Sequence, residues 1–135
     1  MTYRKCVLTL IGLWATAAIA DDGKLHPGDK VKINGGFVCD TAVGSAHGLA
    51  IVDGVAASDG TYFHAKIEAA EAKIGCHWIE DGDAIIVGAV AKSKIYEAKN
   101  GDLFRFIEYR MGGAISFSWQ LASFYVDGPD TSGSI

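Results

Sequence analysis

The chain has 135 residues, half of them hydrophobic, with 17 Gly, 2 Pro and a formal charge of −4. That length fits one domain, and a 21% charged fraction beside so much apolar residue excludes a disordered polymer. The net acidity argues against a dedicated nucleic-acid binder.

Residues 1–20 read MTYRKCVLTLIGLWATAAIA. Arg4 and Lys5 carry the only charges, an apolar stretch runs from Cys6 to Trp14, and small residues end in Ala18-Ile19-Ala20. A basic start, an apolar middle and an A-x-A end predict a secretory signal peptide cleaved before Asp21. The apolar run is shorter than the roughly 20 residues that a bilayer span needs, so no membrane span is expected after cleavage. Cys6 precedes the apolar stretch and is not placed to accept a lipid. The expected organisation is a signal at 1–20, one domain at 21–127 and a disordered tail at 128–135, in the periplasm or outside the cell. Without Arg4 and Lys5, 10 basic and 16 acidic residues remain, a charge of −6.

Asp29-Lys30-Val31-Lys32-Ile33 alternates polar and apolar and predicts a half-buried strand. Asn34-Gly35-Gly36 breaks it, and Phe37-Val38-Cys39 continues it. Asp40 is a suitable N-cap for a helix over Thr41–Val52, with Ala42, Val43, Ala46, Leu49 and Ala50 at helix spacing. Gly44 and Gly48 sit four apart and form a flat strip for close packing. Ser58-Asp59-Gly60 predicts a turn. Phe63, Ile67, Ala70 and Ile74 then make one stripe of a second helix, and Gly75 ends it.

From Cys76 the pattern becomes strand-like. Cys76–Glu80 and Ala84–Val90 flank Asp81-Gly82-Asp83, a hairpin signal, and Ile85-Ile86-Val87 suggests a strand buried on both faces. Lys94–Ala98 and Leu103–Tyr109 flank Asn100-Gly101, the strongest hairpin signal in the chain. Gly112-Gly113 offers a further turn, and Ala114–Trp119 and Phe124–Asp127 are the last predicted strands. Segregated helices and strands indicate an α+β fold. The expected architecture is a small antiparallel SH3-like partly open barrel or curled sheet, with a two-helix insertion after the first strand.

Cleavage would remove Cys6 and leave Cys39 and Cys76, which have one possible pairing in an exported chain. That bond closes a loop of about 38 residues, worth roughly 4 kcal/mol in the chain-entropy model. Cys76-His77 invites a thiol–imidazole reading, but neighbours on a strand point to opposite faces.

Phe37-Val38-Cys39-Asp40-Thr41 and Gly75-Cys76 resemble the shared pattern of small exported bacterial proteins of unknown function. The resemblance implies export, the Cys39–Cys76 bond and the order of elements. It implies no activity.

A search for chemistry finds little. His64 and Glu68 lie one helical turn apart, and a metal would need further ligands such as His77 or Glu71. Asp81 and Asp83 flank Gly82, where turn chemistry already accounts for them. No nucleophile motif or phosphate loop is present, so no catalytic residue, metal or cofactor is expected. A two-residue Asn100-Gly101 turn would put Tyr96 opposite Arg105, Lys94 opposite Ile107 and Lys92 opposite Tyr109. Lys92, Lys94, Tyr96, Arg105 and Tyr109 would then share one basic-aromatic face, the candidate binding surface. The expected function is a non-catalytic binding module whose partner is a protein or an anionic envelope component. The alternatives are a small exported enzyme, which would need His64, Glu68, Asp81 or Asp83 to converge in a cleft, and an inhibitor of a hydrolase.

Overall fold

The computed structural model describes residues 4–7, 15–19, 24–58, 72–123 and 126–131. Among these residues, nine strands form one mostly antiparallel sheet: β1 (Arg4–Val7), β2 (Ala15–Ile19), β3 (Lys30–Ile33), β4 (Gly36–Cys39), β5 (Cys76–Ile79), β6 (Gly82–Val90), β7 (Tyr96–Glu97), β8 (Leu103–Met111) and β9 (Ala114–Leu121). One α-helix, α1 (Ala42–Ser58), is present among the described residues, and a short 3-10 turn covers Ala72–Ile74. The spatial order is β1-β2-β3-β6-β8-β9-β4-β5, with β7 beside β8. The fold is therefore α+β in kind, and the sheet does not close into a barrel. The predicted second helix lies outside the described residues, apart from Ala72–Ile74, which form the 3-10 turn.

The first two strands pair with each other, and β2 pairs with the outer side of β3. They fall within the segment read as a signal. The pairings from β3 to β9 are made without them.

Strand alternation sorts the side chains onto two faces. On the inner face, Val31 and Ile33 of β3, Val38 of β4, Ala84, Ile86 and Ala89 of β6, and Ile107 and Tyr109 of β8 form one buried cluster. Strands β3 and β4 are four pairings apart in the sheet order, so the sheet must curl for their side chains to meet. Leu25 and Val126 close this cluster through a parallel bridge, and the Asp127 N–H donates to the Leu25 carbonyl at 2.8 Å. On the outer face, Phe37, Cys39, Cys76, Val90, Phe106, Phe117 and Trp119 pack under Ala42, Leu49 and Val52 of α1.

The helix begins one residue later than its predicted cap. The Gly44 N–H donates to Thr41 Oγ1 at 2.9 Å, so Thr41 is the N-cap and Asp40 is not. The Asp40 N–H instead donates to the Gly75 carbonyl at 2.9 Å, extending the β4–β5 ladder. The contact stripe is Ala42, Ala46, Leu49, Val52 and Val55, while Val43 and Ala50 face solvent. The helix also runs past Val52 to Ser58. Asp53 holds that extension in place: its carboxylate accepts from Tyr96 Oη at 3.0 Å and from the Lys99 N–H at 3.1 Å.

Two strand predictions need correction. Strand β5 pairs with β4, and β6 pairs with β3 and β8, so Asp81-Gly82-Asp83 turns a corner and does not close a hairpin. Ile85-Ile86-Val87 is not buried on both faces: Ile86 is buried and Ile85 is 41% exposed. A register shift between Ile86 and Gly88 then moves the odd residues before it and the even residues after it to the same face. Within the stretch expected as a tail, the Thr131 N–H donates to the Ala89 carbonyl of β6 at 2.9 Å. The Gly112-Gly113 turn matches its prediction: Met111 pairs with Ala114, and φ is +55° and +85° at the two glycines, as a tight hairpin requires.

Cys39 and Cys76 are bonded and face each other directly across the β4–β5 pair, with Cα atoms 4.0 Å apart. Gly44 abuts this point. A Cβ there would lie 2.8 Å from the Ile74 carbonyl oxygen and 2.9 Å from Thr41 Oγ1. Gly44→Val is therefore expected to lower stability by about 1–3 kcal/mol through overpacking. Gly54→Ala, where a Cβ meets open space, should raise it by about 0.5–1 kcal/mol through helix propensity. Urea unfolding of both variants checks the contrast. Replacing Cys39 and Cys76 together by Ala should cost about 2–5 kcal/mol. The same loss should appear when the unchanged protein is unfolded under reducing conditions.

Candidate interaction surface

The five residues of the expected basic-aromatic face are not brought together as one surface. Strand β7 pairs Tyr96 with Phe104 and Glu97 with Leu103. That register is one residue away from the one a two-residue Asn100-Gly101 turn would set. The turn in fact spans 98–102: the Ala98 N–H donates to the Asp102 carbonyl at 2.8 Å, and Asn100 Oδ1 accepts from the Asp102 N–H at 3.0 Å. A slip of one residue reverses the face of every side chain. Tyr96 therefore sits with Phe104 against the helix layer, on the opposite side from Arg105.

Each of the five has its own surroundings. The Lys92 N–H donates to Asp130 Oδ1 at 3.0 Å, and its Nζ donates to the Gly128 carbonyl, which ties the C-terminal segment to the end of β6. Lys94 is exposed in the following loop, its N–H donating to the Ala91 carbonyl at 2.8 Å. Burial, and then the hydrogen bond and charge of Asp53, raise the Tyr96 pKa. Arg105 is half-buried and donates from Nη1 to the Ala122 carbonyl at 3.1 Å. Tyr109 lies in the inner core at 3% exposure, and burial pushes its phenol well above the ordinary range.

The residues weighed for catalysis or metal binding are equally dispersed. His64, Glu68 and Glu71 lie outside the described residues. His77 is exposed on β5 while Cys76 is buried beside it, so the two do point to opposite faces. Asp81 and Asp83 are both exposed. Lys32 Nζ lies 3.7 Å from Asp81 Oδ1, and Lys32 is the cross-strand partner of Asp83. Among the described residues, no three His, Cys, Asp or Glu side chains cluster as a metal site would require.

The pairings instead assemble a row that sequence reading missed. Lys30 pairs with Ile85, Ile85 with Arg110, and Arg110 with Ile115. These four residues cross β3, β6, β8 and β9 side by side on the outer face. All four are exposed, with Ile85 and Ile115 each at 41%. They come from three distant stretches of chain, and the β6 bulge determines their alignment. No local pattern in the sequence signals them.

No family model matches the chain, and no curated protein or solved structure is significantly similar to it. No helix among the described residues is long and apolar enough to cross a membrane.

The buried phenol of Tyr109 gives the fold an alkaline limit. Its pKa is raised in the folded state, so its stabilising share is complete below the unfolded value of about 10 and is lost as pH rises above it. Urea midpoints should fall above about pH 10, with a slope of up to about 1.4 kcal/mol per pH unit from this group. Tyr109→Phe should flatten that part of the profile.

Proposed function

We propose that this protein is an exported, non-catalytic interaction module that engages its partner on exposed sheet surface. The reading includes cleavage before Asp21 and a small SH3-like curled sheet carrying a helical pair, with the second helix ending at Ile74. The observation that carries it is the buried Cys39–Cys76 bond, with the two sulfur-bearing residues at 0% and 3% exposure. A structural disulfide of this kind belongs to an oxidising compartment. The exposed row Lys30–Ile85–Arg110–Ile115 supports the second half of the reading. It presents cations beside aliphatic side chains in an acidic chain, the mixture that suits a protein or an anionic envelope component.

Expression of the full chain with a photo-crosslinking amino acid at Lys94, Ile115 or Asn100 tests both halves. The expected outcome is an oxidised chain beginning at Asp21 in the periplasm or medium, and a discrete heavier adduct from Lys94 or Ile115. Asn100, at the tip of a turn, serves as the control. Reduced, uncleaved protein in the cytosol, or no adduct from either position, would overturn the reading.

A further inference from the structure

We propose that the row Lys30–Ile85–Arg110–Ile115 docks an acidic amphipathic helix of a partner protein, laid across the strands beside α1. The inference rests on the interaction-module reading and names the partner's chemistry. It starts from what the outer face already does. Helix α1 lies across the neighbouring rows of this face, which hold Phe117 with Cys39 and Cys76, and Val90 with Phe106 and Trp119. The next row outward is Lys30–Ile85–Arg110–Ile115, whose two isoleucines are 41% exposed.

The spacing of the row selects a helix. Adjacent strands lie about 4.8 Å apart, so the four side chains stand at roughly 0, 5, 10 and 14 Å along the row. A helix rises about 1.5 Å per residue. Its positions i, i+3, i+7 and i+10 share one face and fall at about 0, 4.5, 10.5 and 15 Å. Carboxylates at i and i+7 would meet Lys30 and Arg110, and apolar residues at i+3 and i+10 would meet Ile85 and Ile115. An extended strand repeats on one face every 6.6 Å or so and falls out of step by the second contact.

The charges beside the row favour a narrow protein ligand over an anionic lipid surface. Asp83 is exposed on the same face next to Lys32, and Glu108 lies beside Arg110 at 8% exposure. A helix one side chain wide meets the row and leaves those carboxylates to its flanks. A planar anionic surface would press on exposed Asp83 as well as on the row.

The test titrates a bridged helical peptide into isotope-labelled mature protein and follows backbone amide shifts. The peptide carries Glu at i and i+7, Leu at i+3 and i+10, and Lys on its flanks. The expected result is a Kd below about 1 mM, with shifts centred on Ile85, Arg110 and Ile115. Arg110→Glu and Ile115→Asp should each weaken binding at least tenfold while leaving the unfolding midpoint unchanged. A peptide with Lys in place of both Glu should not bind. Shifts confined to other surfaces, equal binding of the Lys peptide, cosedimentation with phosphatidylglycerol vesicles in place of peptide binding, or self-association through Ile115 would overturn the proposal. Adducts from Lys94 alone in the crosslinking experiment would leave the interaction module standing and remove this site. Adducts from neither would remove both.

Discussion

The bond between Cys39 and Cys76 is the constraint on which the outer layer depends. It joins residues that face each other across the β4–β5 pair, one at the end of β4 and the other at the start of β5. Helix α1 leaves the sheet just after Cys39, and the chain re-enters it at Cys76, at the same point. That point is crowded. A Cβ on Gly44 of α1 would collide with the Ile74 carbonyl, Cys76 Sγ lies 3.4 Å from the Gly44 carbonyl, and the Asp40 N–H donates to the Gly75 carbonyl. With both helix entry and chain return held there, α1 has one way to lie across Phe106, Phe117 and Trp119. The edge-to-face contact of Phe37 and Trp78, with ring centroids 5.0 Å apart, extends the same β4–β5 pair.

The inner layer is held differently. Its cluster is closed by the two ends of the described domain, with Leu25 and Val126 fully buried in contact with strands from across the sheet. Both end segments bond to β6 on either side of its bulge. The Gly28 N–H donates to the Ile86 carbonyl at 2.7 Å, and the Thr131 N–H to the Ala89 carbonyl at 2.9 Å. Pairing of β3 with β6 stops at Lys30–Ile85, and the terminal segments satisfy the Ile86 and Ala89 groups that lie beyond it. The same bulge rotates the later part of β6 so that Val90 joins the helix layer while Ile85 stays in solvent. One irregularity therefore separates the covered half of the outer face from the open half.

Much of the architecture was legible in local signals. The strand character from Cys76 onward, the start of α1 after Cys39 and the Gly112-Gly113 hairpin rest on short-range chemistry and are present, as is the Cys39–Cys76 bond, which spans 37 residues. The helix boundary failed at Asp53-Gly54, because the contacts that carry α1 through that pair come from Tyr96 and Lys99, more than 40 residues away. The candidate surface failed on one residue of register. Asn100-Gly101 did mark a turn, but Asn100 bonds to Asp102 within a wider loop. That difference alone sends Tyr96 to the helix layer. Tyr109 was misplaced for a different reason: it does share the Arg105 face of β8, but that face packs the inner core, where Tyr109 pairs with Ile86 and is buried.

The sequence by itself determined part of the local grammar of this protein: a helix after Cys39, strands from Cys76 onward, the tight Gly112-Gly113 turn, and Cys39 with Cys76 as the expected pair. The first three follow from backbone preference and periodicity, which act over a few residues, and the cysteine pair from the expected loss of Cys6 with the leader. Tertiary structure alone decided strand order, register and the bulge in β6. Those depend on how two buried layers share one sheet, and that competition involves residues far apart in the chain. The exposed row Lys30–Ile85–Arg110–Ile115 is a product of those decisions. Its members become neighbours only when four strands are aligned, which is why the surface proposed for function emerged from pairing and not from pattern.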